Sequence, residues 1–282
     1  MKVEVSLTPA LYPYRTLKEN PVTVAIDVLR ATTAVCAAFQ AGCREVVPLD
    51  SLEALEPYRQ KGYAIAAERG GKKLPGSDYG NSPTEYMSKE MSGVRLAYST
   101  TNGTVSILKG ADADLTLVGA FANLDALCER LAAEQRDTVL LCSGWQNDFC
   151  IEDTLVAGAI IERLVSGDDI RPRQPQAAAT PSNLEGEPVS SVCGSSSSPK
   201  LGEVDARSAD GGVCVCGDAA HMALDLWQLA KENPFAFCQK ASHVHRLQGF
   251  GPQAQADIEF AFRLNTCPVV PVLKKGILRI DN

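Results

Sequence analysis

The sequence has ten cysteines but no CxxC pair and no Cys/His spacing of the zinc-site kind. It has no basic run. Lys and Arg come singly or in short pairs such as Lys72-Lys73 and Lys274-Lys275, and 27 of them against 34 acidic residues give a formal net charge of -7. That lacks the basic face of a nucleic-acid binder. No apolar stretch approaches a membrane span, and the opening MKVEVSLTPALYPY has no apolar h-region. A cytoplasmic protein with neither membrane nor nucleic-acid partner is expected. Several catalytic signatures are missing too. There is no GxxxxGK[ST] loop, no GxSxG elbow and no HExxH. No DxDxT surrounds Asp27, and no cysteine is followed six residues later by arginine. A Walker-type nucleotide site, a serine-hydrolase elbow, a zincin and the usual phosphatase loops are thereby excluded. A net negative charge does not exclude an anionic substrate, because local arginines decide that.

What is present is an alternation of β and α patterns. VTVAIDVL (22–29) reads as a buried strand, and ATTAVCAAFQAG as a helix capped by Thr32 or Thr33 and closed by Gly42. REVVPLD, YAIAAE (63–68), RLAYS (95–99), DLTLVGA (114–120) and TVLLCSG (138–144) read as further strands. SLEALEPYRQKG and NLDALCERLAAE read as helices between them. This order predicts a layered α/β/α fold with a mainly parallel sheet. From about 169 to 211 the chain is rich in Ser, Pro, Gly and Ala and poor in aliphatics, the composition of a disordered insert. The expected organisation is a core over 1–168, the insert over 169–211, and a C-terminal part over 212–282 that completes the same fold. In that last part Cys214-Val215-Cys216 reads as strand. Helices are expected from Asp218 to about Ala230, from Pro234 to Gln248 and over DIEFAFRL, then a hairpin over PVVPVL-KKG-ILRI. The cysteines, mostly among apolar neighbours, read as buried free thiols.

In parallel α/β sheets ligands gather at the carboxyl ends of strands. Four such ends carry chemistry. DVLRATT offers Asp27, Arg30, Thr32 and Thr33. Carboxylates suit Mg²⁺ or proton transfer, and arginine suits phosphate, carboxylate or sulfonate. ERGGKK offers Glu68, Arg69 and Lys72 around Gly70 and Gly71, where backbone can approach a ligand closely, with Asn81 further on. SPTE, starting at Ser82, is a capping box with Pro83 at the first helical position. STTNGT offers Ser99, Thr100, Thr101, Asn102, Gly103 and Thr104 at a helix start, where the dipole favours an anion. The fourth end, CSGWQNDFCIED, offers Asp148, Glu152 and Asp153. Each stretch also has a plain structural explanation: a cap, a solvated loop, a turn, or acidic residues complementing a helix dipole.

Together the stretches IDVLRATT (26–33), ERGGKK…GSDYGNSP (68–83), STTNGT (99–104) and CSG…DFCIED…AG (142–158) resemble the 2-phosphosulfolactate phosphatase family of coenzyme M biosynthesis. The likeness covers roughly 1–165 in order and spacing and continues more loosely through GDAAHMAL and SHVHRL; the insert departs from it. The resemblance implies a Mg²⁺-dependent phosphomonoester hydrolase on an α/β fold. Its substrate would be 2-phospho-3-sulfolactate or a related 2-hydroxy acid phosphate, a small acidic molecule bearing phosphate, carboxylate and sulfonate. On that reading Asp27, Arg30, Glu68 and Arg69 carry the catalysis. Some of Asp27, Asp148, Glu152 and Asp153 hold the metal. Thr32, Thr33, Gly70, Gly71, Lys72, Asn81 and the run Ser99–Thr104 bind the substrate's acidic groups. The rival expectation is a non-catalytic sensor of such acids. Enzymes of this size are often homodimers.

Overall fold

Short runs of Val, Ile, Leu and Ala, bounded by turn residues, build one large sheet. The computed structural model describes residues 1–167 and 212–281. The expectation of a disordered insert at 169–211 lies outside the described residues. In chain order the strands are β1 (Lys2–Ser6), β2 (Val22–Ile26), β3 (Glu45–Pro48), β4 (Ala64–Arg69), β5 (Lys72–Lys73) and β6 (Arg95–Ser99). They continue with β7 (Leu115–Gly119), β8 (Thr138–Cys142), β9 (Cys214–Cys216), β10 (Pro271–Lys274) and β11 (Ile277–Ile280). The α-helices are α1 (Ala31–Gln40), α2 (Glu56–Gln60), α3 (Pro83–Met87), α4 (Gly103–Gly110) and α5 (Leu124–Glu134). After these come α6 (Ile151–Ser166), α7 (Asp218–Ala230), α8 (Pro234–Cys238), α9 (Ser242–Gln248) and α10 (Pro252–Ala261). None of these described helices is long and apolar enough to cross a membrane.

The strand order is β5-β4-β6-β3-β11-β10-β7-β2-β8-β1-β9. It contains two parallel blocks, β4-β6-β3 and β7-β2-β8-β1-β9, with the short β5 antiparallel to β4 at one edge. The expected hairpin β10–β11 exists, and its position is the unexpected part. It lies between the blocks, antiparallel to β7 on one side and β3 on the other. Val24 in β2 pairs with both Leu117 and Leu140, which makes β2 a central strand. All five of its residues are buried, as a strand covered on both faces requires. Val22, Val24 and Ile26 enter an apolar cluster with α5, α6 and α7. Ala25 enters a second cluster with α1. The twofold alternation of a strand thus serves two cores, one per face.

Some local readings need correction. Neither Thr32 nor Thr33 caps α1. Arg30 stands at the cap position without a side-chain capping bond to the helix, and both threonines lie inside the helix. The expected helix after Ser51 is a 3-10 turn (Glu53–Leu55) running into the single turn of α2. The segment 234–248 is two helices, α8 and α9, while the helix expected from Asp218 to about Ala230 is α7. The capping box at α3 is half formed. Ser82 Oγ accepts from Glu85 N–H at 3.2 Å, while the Glu85 carboxylate accepts from Gly80 N–H instead. Strand β1, within the opening fourteen residues read only for a leader, pairs with β8.

Candidate active site

The carboxyl ends of β2, β4 and β6 and the loop after β8 meet at one cleft, and α9 covers it. The lining comprises Asp27, Leu29, Arg30, Glu68, Gly70, Gly71, Asn81, Thr100, Thr101, Asn102, Trp145, His243 and Arg246.

The β2–α1 turn is tied by Thr32. Its hydroxyl donates to the Asp27 carbonyl at 2.8 Å and accepts from Asp27 N–H at 2.9 Å. Thr33 donates to the Val28 carbonyl at 2.8 Å. Both side chains are fully buried and brace the turn; the structure does not bring them to the cleft. The result is a fixed Asp27, whose Oδ1 accepts from Ala31 N–H at 3.1 Å. Gly103 at the start of α4 lies against it. A Cβ there would stand 2.7 Å from Asp27 Oδ2 and 2.1 Å from the Ala31 Cβ, so only glycine lets this helix start approach the carboxylate.

Arg30 is clamped. Its Nη1 donates to Asp257 Oδ2 at 2.6 Å and its Nη2 to the Gly71 carbonyl at 2.6 Å. Asp257, fully buried in α10, also accepts from the hydroxyls of Ser82 at 2.6 Å and Thr84 at 2.5 Å. A buried carboxylate with this many donors is a fixed counter-charge, and it orients Arg30 toward the cleft. Glu68 Oε1 accepts from the amide of Thr101 at 3.1 Å and its hydroxyl at 2.5 Å, which ties the end of β4 to STTNGT. Arg69 is outside the lining. Its guanidinium donates to the carbonyls of Glu68 and Ser99 and to Ser99 Oγ, a brace between two strand ends. Thr100 and Thr104 bond each other across the first turn of α4. Within STTNGT, Thr100, Thr101 and Asn102 line the cleft; Ser99, Gly103 and Thr104 shape it. Lys72 is exposed, with its ammonium 5.4 Å from the Phe250 ring centroid. Asn81 is buried, and its Oδ1 accepts from Tyr98 OH, which turns its amide N–H₂ the other way.

Three buried carboxylates beyond Glu68 crowd this end of the sheet. Asp153 Oδ1 accepts from Val28 N–H at 2.8 Å and its Oδ2 from Gly144 N–H at 3.1 Å, so it joins the ends of β2 and β8. Burial first, then the charges of Asp27 and Glu152, push its acid well above the ordinary carboxylate range. Burial likewise raises Asp27 to about 6; His243 and the Ala31 amide pull the other way, and Glu68 and Glu152 add to the rise. Glu152 Oε1 bonds His243 Nδ1 at 2.8 Å, and its Oε2 is buried with no hydrogen-bond partner. Asp148 is apart from these, exposed in the turn before α6 with Oδ1 accepting from Phe149 N–H.

These donors fit a hard divalent cation. Asp27, Glu68, Glu152 and Asp153 offer oxygen atoms of the kind Mg²⁺ takes, and one Glu152 oxygen is buried without a hydrogen-bond partner. Cys150, Glu152 and His243 also lie within reach of one point. That group is closed by its own Glu152–His243 bond and offers softer atoms than Mg²⁺ prefers.

His243 and Arg246 were not among the residues singled out as site candidates in the sequence. They sit three apart on α9, so one helix face presents both. Arg246 Nη2 meets His243 Nε2 at 2.9 Å. Guanidinium can only donate, so Nε2 accepts and the Nδ1–H donates to Glu152. Arg246 Nη1 donates to the Gly70 carbonyl at 3.2 Å, its guanidinium lies over the Trp145 ring at 4.9 Å, and its Nε is buried without a partner. Burial, with Arg30 nearby, lowers its pKa from the usual guanidinium value, against the opposing pull of Glu68. Asp257 also escaped notice, as one of two acids in an otherwise ordinary helix.

Comparison with known proteins gives the following. The family model described as 2-phosphosulpholactate phosphatase matches residues 6–276. A protein of Caldanaerobacter subterraneus subsp. tengcongensis named "Probable 2-phosphosulfolactate phosphatase" is 28% identical over 269 residues, 94% of this chain and 92% of its own length. One of Synechococcus sp. (strain JA-3-3Ab) with the same name is 31% identical over 263 residues, 91% of this chain and 90% of its own. A third so named, from Picosynechococcus sp., is 38% identical over 173 residues, 60% of this chain and 71% of its own.

Proposed function

The chain belongs to the 2-phosphosulpholactate phosphatase family, and from that premise we propose that it hydrolyses the phosphate ester of 2-phospho-3-sulfolactate, or a close 2-hydroxy acid phosphate, with Mg²⁺. The products are sulfolactate and inorganic phosphate. The observation that carries this reading is the charge layout of the cleft. Two guanidiniums, Arg30 and Arg246, face it alongside the N-terminus of α4, while Asp27 and Glu68 line it with Glu152 and Asp153 packed behind. Anion-binding groups next to surplus carboxylates suit a substrate that carries several negative charges and arrives with a cation.

Each residue has a part in this reading. Arg30, oriented by Asp257, neutralises a phosphoryl or carboxylate group. Arg246, fixed by Gly70 and stacked on Trp145, takes a further acidic group such as the sulfonate. Asn81 and the α4 N-terminus supply neutral donors. Asp27, Glu68 and Glu152 hold Mg²⁺, and Asp153 fixes the loops that carry them. Bound Mg²⁺ supplies positive charge at the phosphoryl oxygens. Asp27 is in place either to accept a proton from water or to attack phosphorus itself.

A metal titration tests the proposal. The chelated chain is expected to release no phosphate, Mg²⁺ to restore release, Asp27→Asn to abolish it and Asp148→Ala to leave it within about twofold. Full turnover in excess chelator, or loss of turnover on replacing Asp148, would defeat the assignment.

A further inference from the structure

A second set of ligand-type side chains stands at the opposite edge of the sheet, away from the catalytic cleft. In a strand, residues i and i+2 point to the same face, so Cys214 and Cys216 of β9 share one. Their Sγ atoms lie 3.7 Å apart. Both are free thiols and half-buried. They wall a cavity of about 290 Å³ together with Lys2, Gly217, Asp218 and His221. Gly217, at φ +81°, turns the chain from β9 straight into α7. The first turn of that helix carries Asp218 and His221, three apart and so on one face. Two thiols, an imidazole and a carboxylate therefore border one solvent-accessible space.

We propose that Cys214, Cys216 and His221 form a binding site for one borderline-soft divalent ion of the zinc type, with Asp218 or water as fourth ligand. Two thiolates on a tetrahedral zinc, each about 2.3 Å from the metal, stand about 3.8 Å apart. The observed separation already matches that edge, so β9 needs little rearrangement, whereas the exposed His221 side chain, not within 4.8 Å of both sulfurs, must turn toward them to close the site. Thiolate and imidazole select zinc over Mg²⁺, so this site and the catalytic cleft would take different metals. Coordination replaces two S–H bonds with two S–metal bonds and releases two protons to solvent. Affinity therefore rises as pH rises.

The test uses the full chain, reduced and stripped of metal. Cd²⁺ serves as probe, followed by its thiolate charge-transfer absorption, and Zn²⁺ by competition with a chromophoric chelator. Cys214→Ser and Cys216→Ser are each expected to bind one equivalent fewer than the native chain. His221→Ala, an exposed position unable to disturb the core, is expected to weaken that equivalent by at least about tenfold. Phosphate release with Mg²⁺ should be the same in all three, so the result stands apart from the catalytic proposal. The same number of equivalents in the Cys214→Ser/Cys216→Ser double variant as in the native chain would overturn the site. So would a native chain that takes up no Cd²⁺.

Discussion

Asp27→Asn should inactivate the protein and yet stabilise its metal-free form. Burial raises the Asp27 acid from 3.8 to about 6 in the fold. A carboxylate with a raised native pKa binds protons more tightly when folded, so native stability falls as pH rises from about 4 to about 6 and stays lower above that. A shift of roughly two units corresponds to at most about 3 kcal/mol. Asparagine keeps the shape and can still accept from Ala31 N–H, but it carries no charge to bury. At pH 7 to 8, in chelator, the variant should melt roughly 6–12 °C above the native chain at a few degrees per kcal/mol. The gap should shrink to a few tenths of a kcal/mol near pH 4, where native Asp27 is protonated and the unfolded carboxyl about half so. Saturating Mg²⁺ should raise the native melting point and leave the variant nearly unmoved. Melting curves across pH 4–8 with and without metal give all of this. A variant no more stable than the native chain at pH 7.5 in chelator would refute the reasoning.

Other consequences concern the arginines and the glycines. Arg30→Ala should lower turnover by about 10²–10³ and also cost about 3–5 kcal/mol of stability, because Asp257 is left buried and unpaired; kinetics and denaturant unfolding read the two effects separately. Arg69→Ala, whose bonds are all to Glu68 and Ser99, should change turnover less than tenfold while lowering the melting point. Arg246→Gln should raise KM for a sulfonated substrate more than for its analogue without the sulfonate, which steady-state kinetics on the pair would reveal. Gly71→Ala places a Cβ 2.5 Å from the Phe250 ring at φ +88°, so it should destabilise by about 1–3 kcal/mol and weaken substrate binding through the displaced loop.

The strand-end logic found three corners of the cleft because β2, β4 and β6 each finish in residues with visible chemistry. A polar side chain that serves the fold is not distinguished by sequence from one that faces a ligand. Thr32, Thr33, Ser99, Thr104 and Arg69 look like ligand groups in a linear sequence, and their bonds, Ser99 Oγ to Arg69 and the others to nearby backbone, are visible only once the turns are folded. His243 and Arg246 lie far downstream, beyond the segment 169–211, inside SHVHRL, where the family likeness is loose and nothing in the spacing ties them to Glu152 or Gly70. Asp257 gives no sequence signal either, since its role exists only through contact with Arg30, Ser82 and Thr84 from distant strand ends. The parallel blocks were legible from the alternation of patterns. The place of β10–β11 between them was not, because a hairpin's own sequence says nothing about which strands flank it.

The central claim is phosphate release from 2-phospho-3-sulfolactate. It is best measured beside phospholactate and phosphoglycerate, with Mg²⁺ and with EDTA. Mg²⁺-dependent release with the highest kcat/KM for the sulfonated ester is expected. Tight binding of all three without release from any would contradict it and favour a sensor of acidic metabolites.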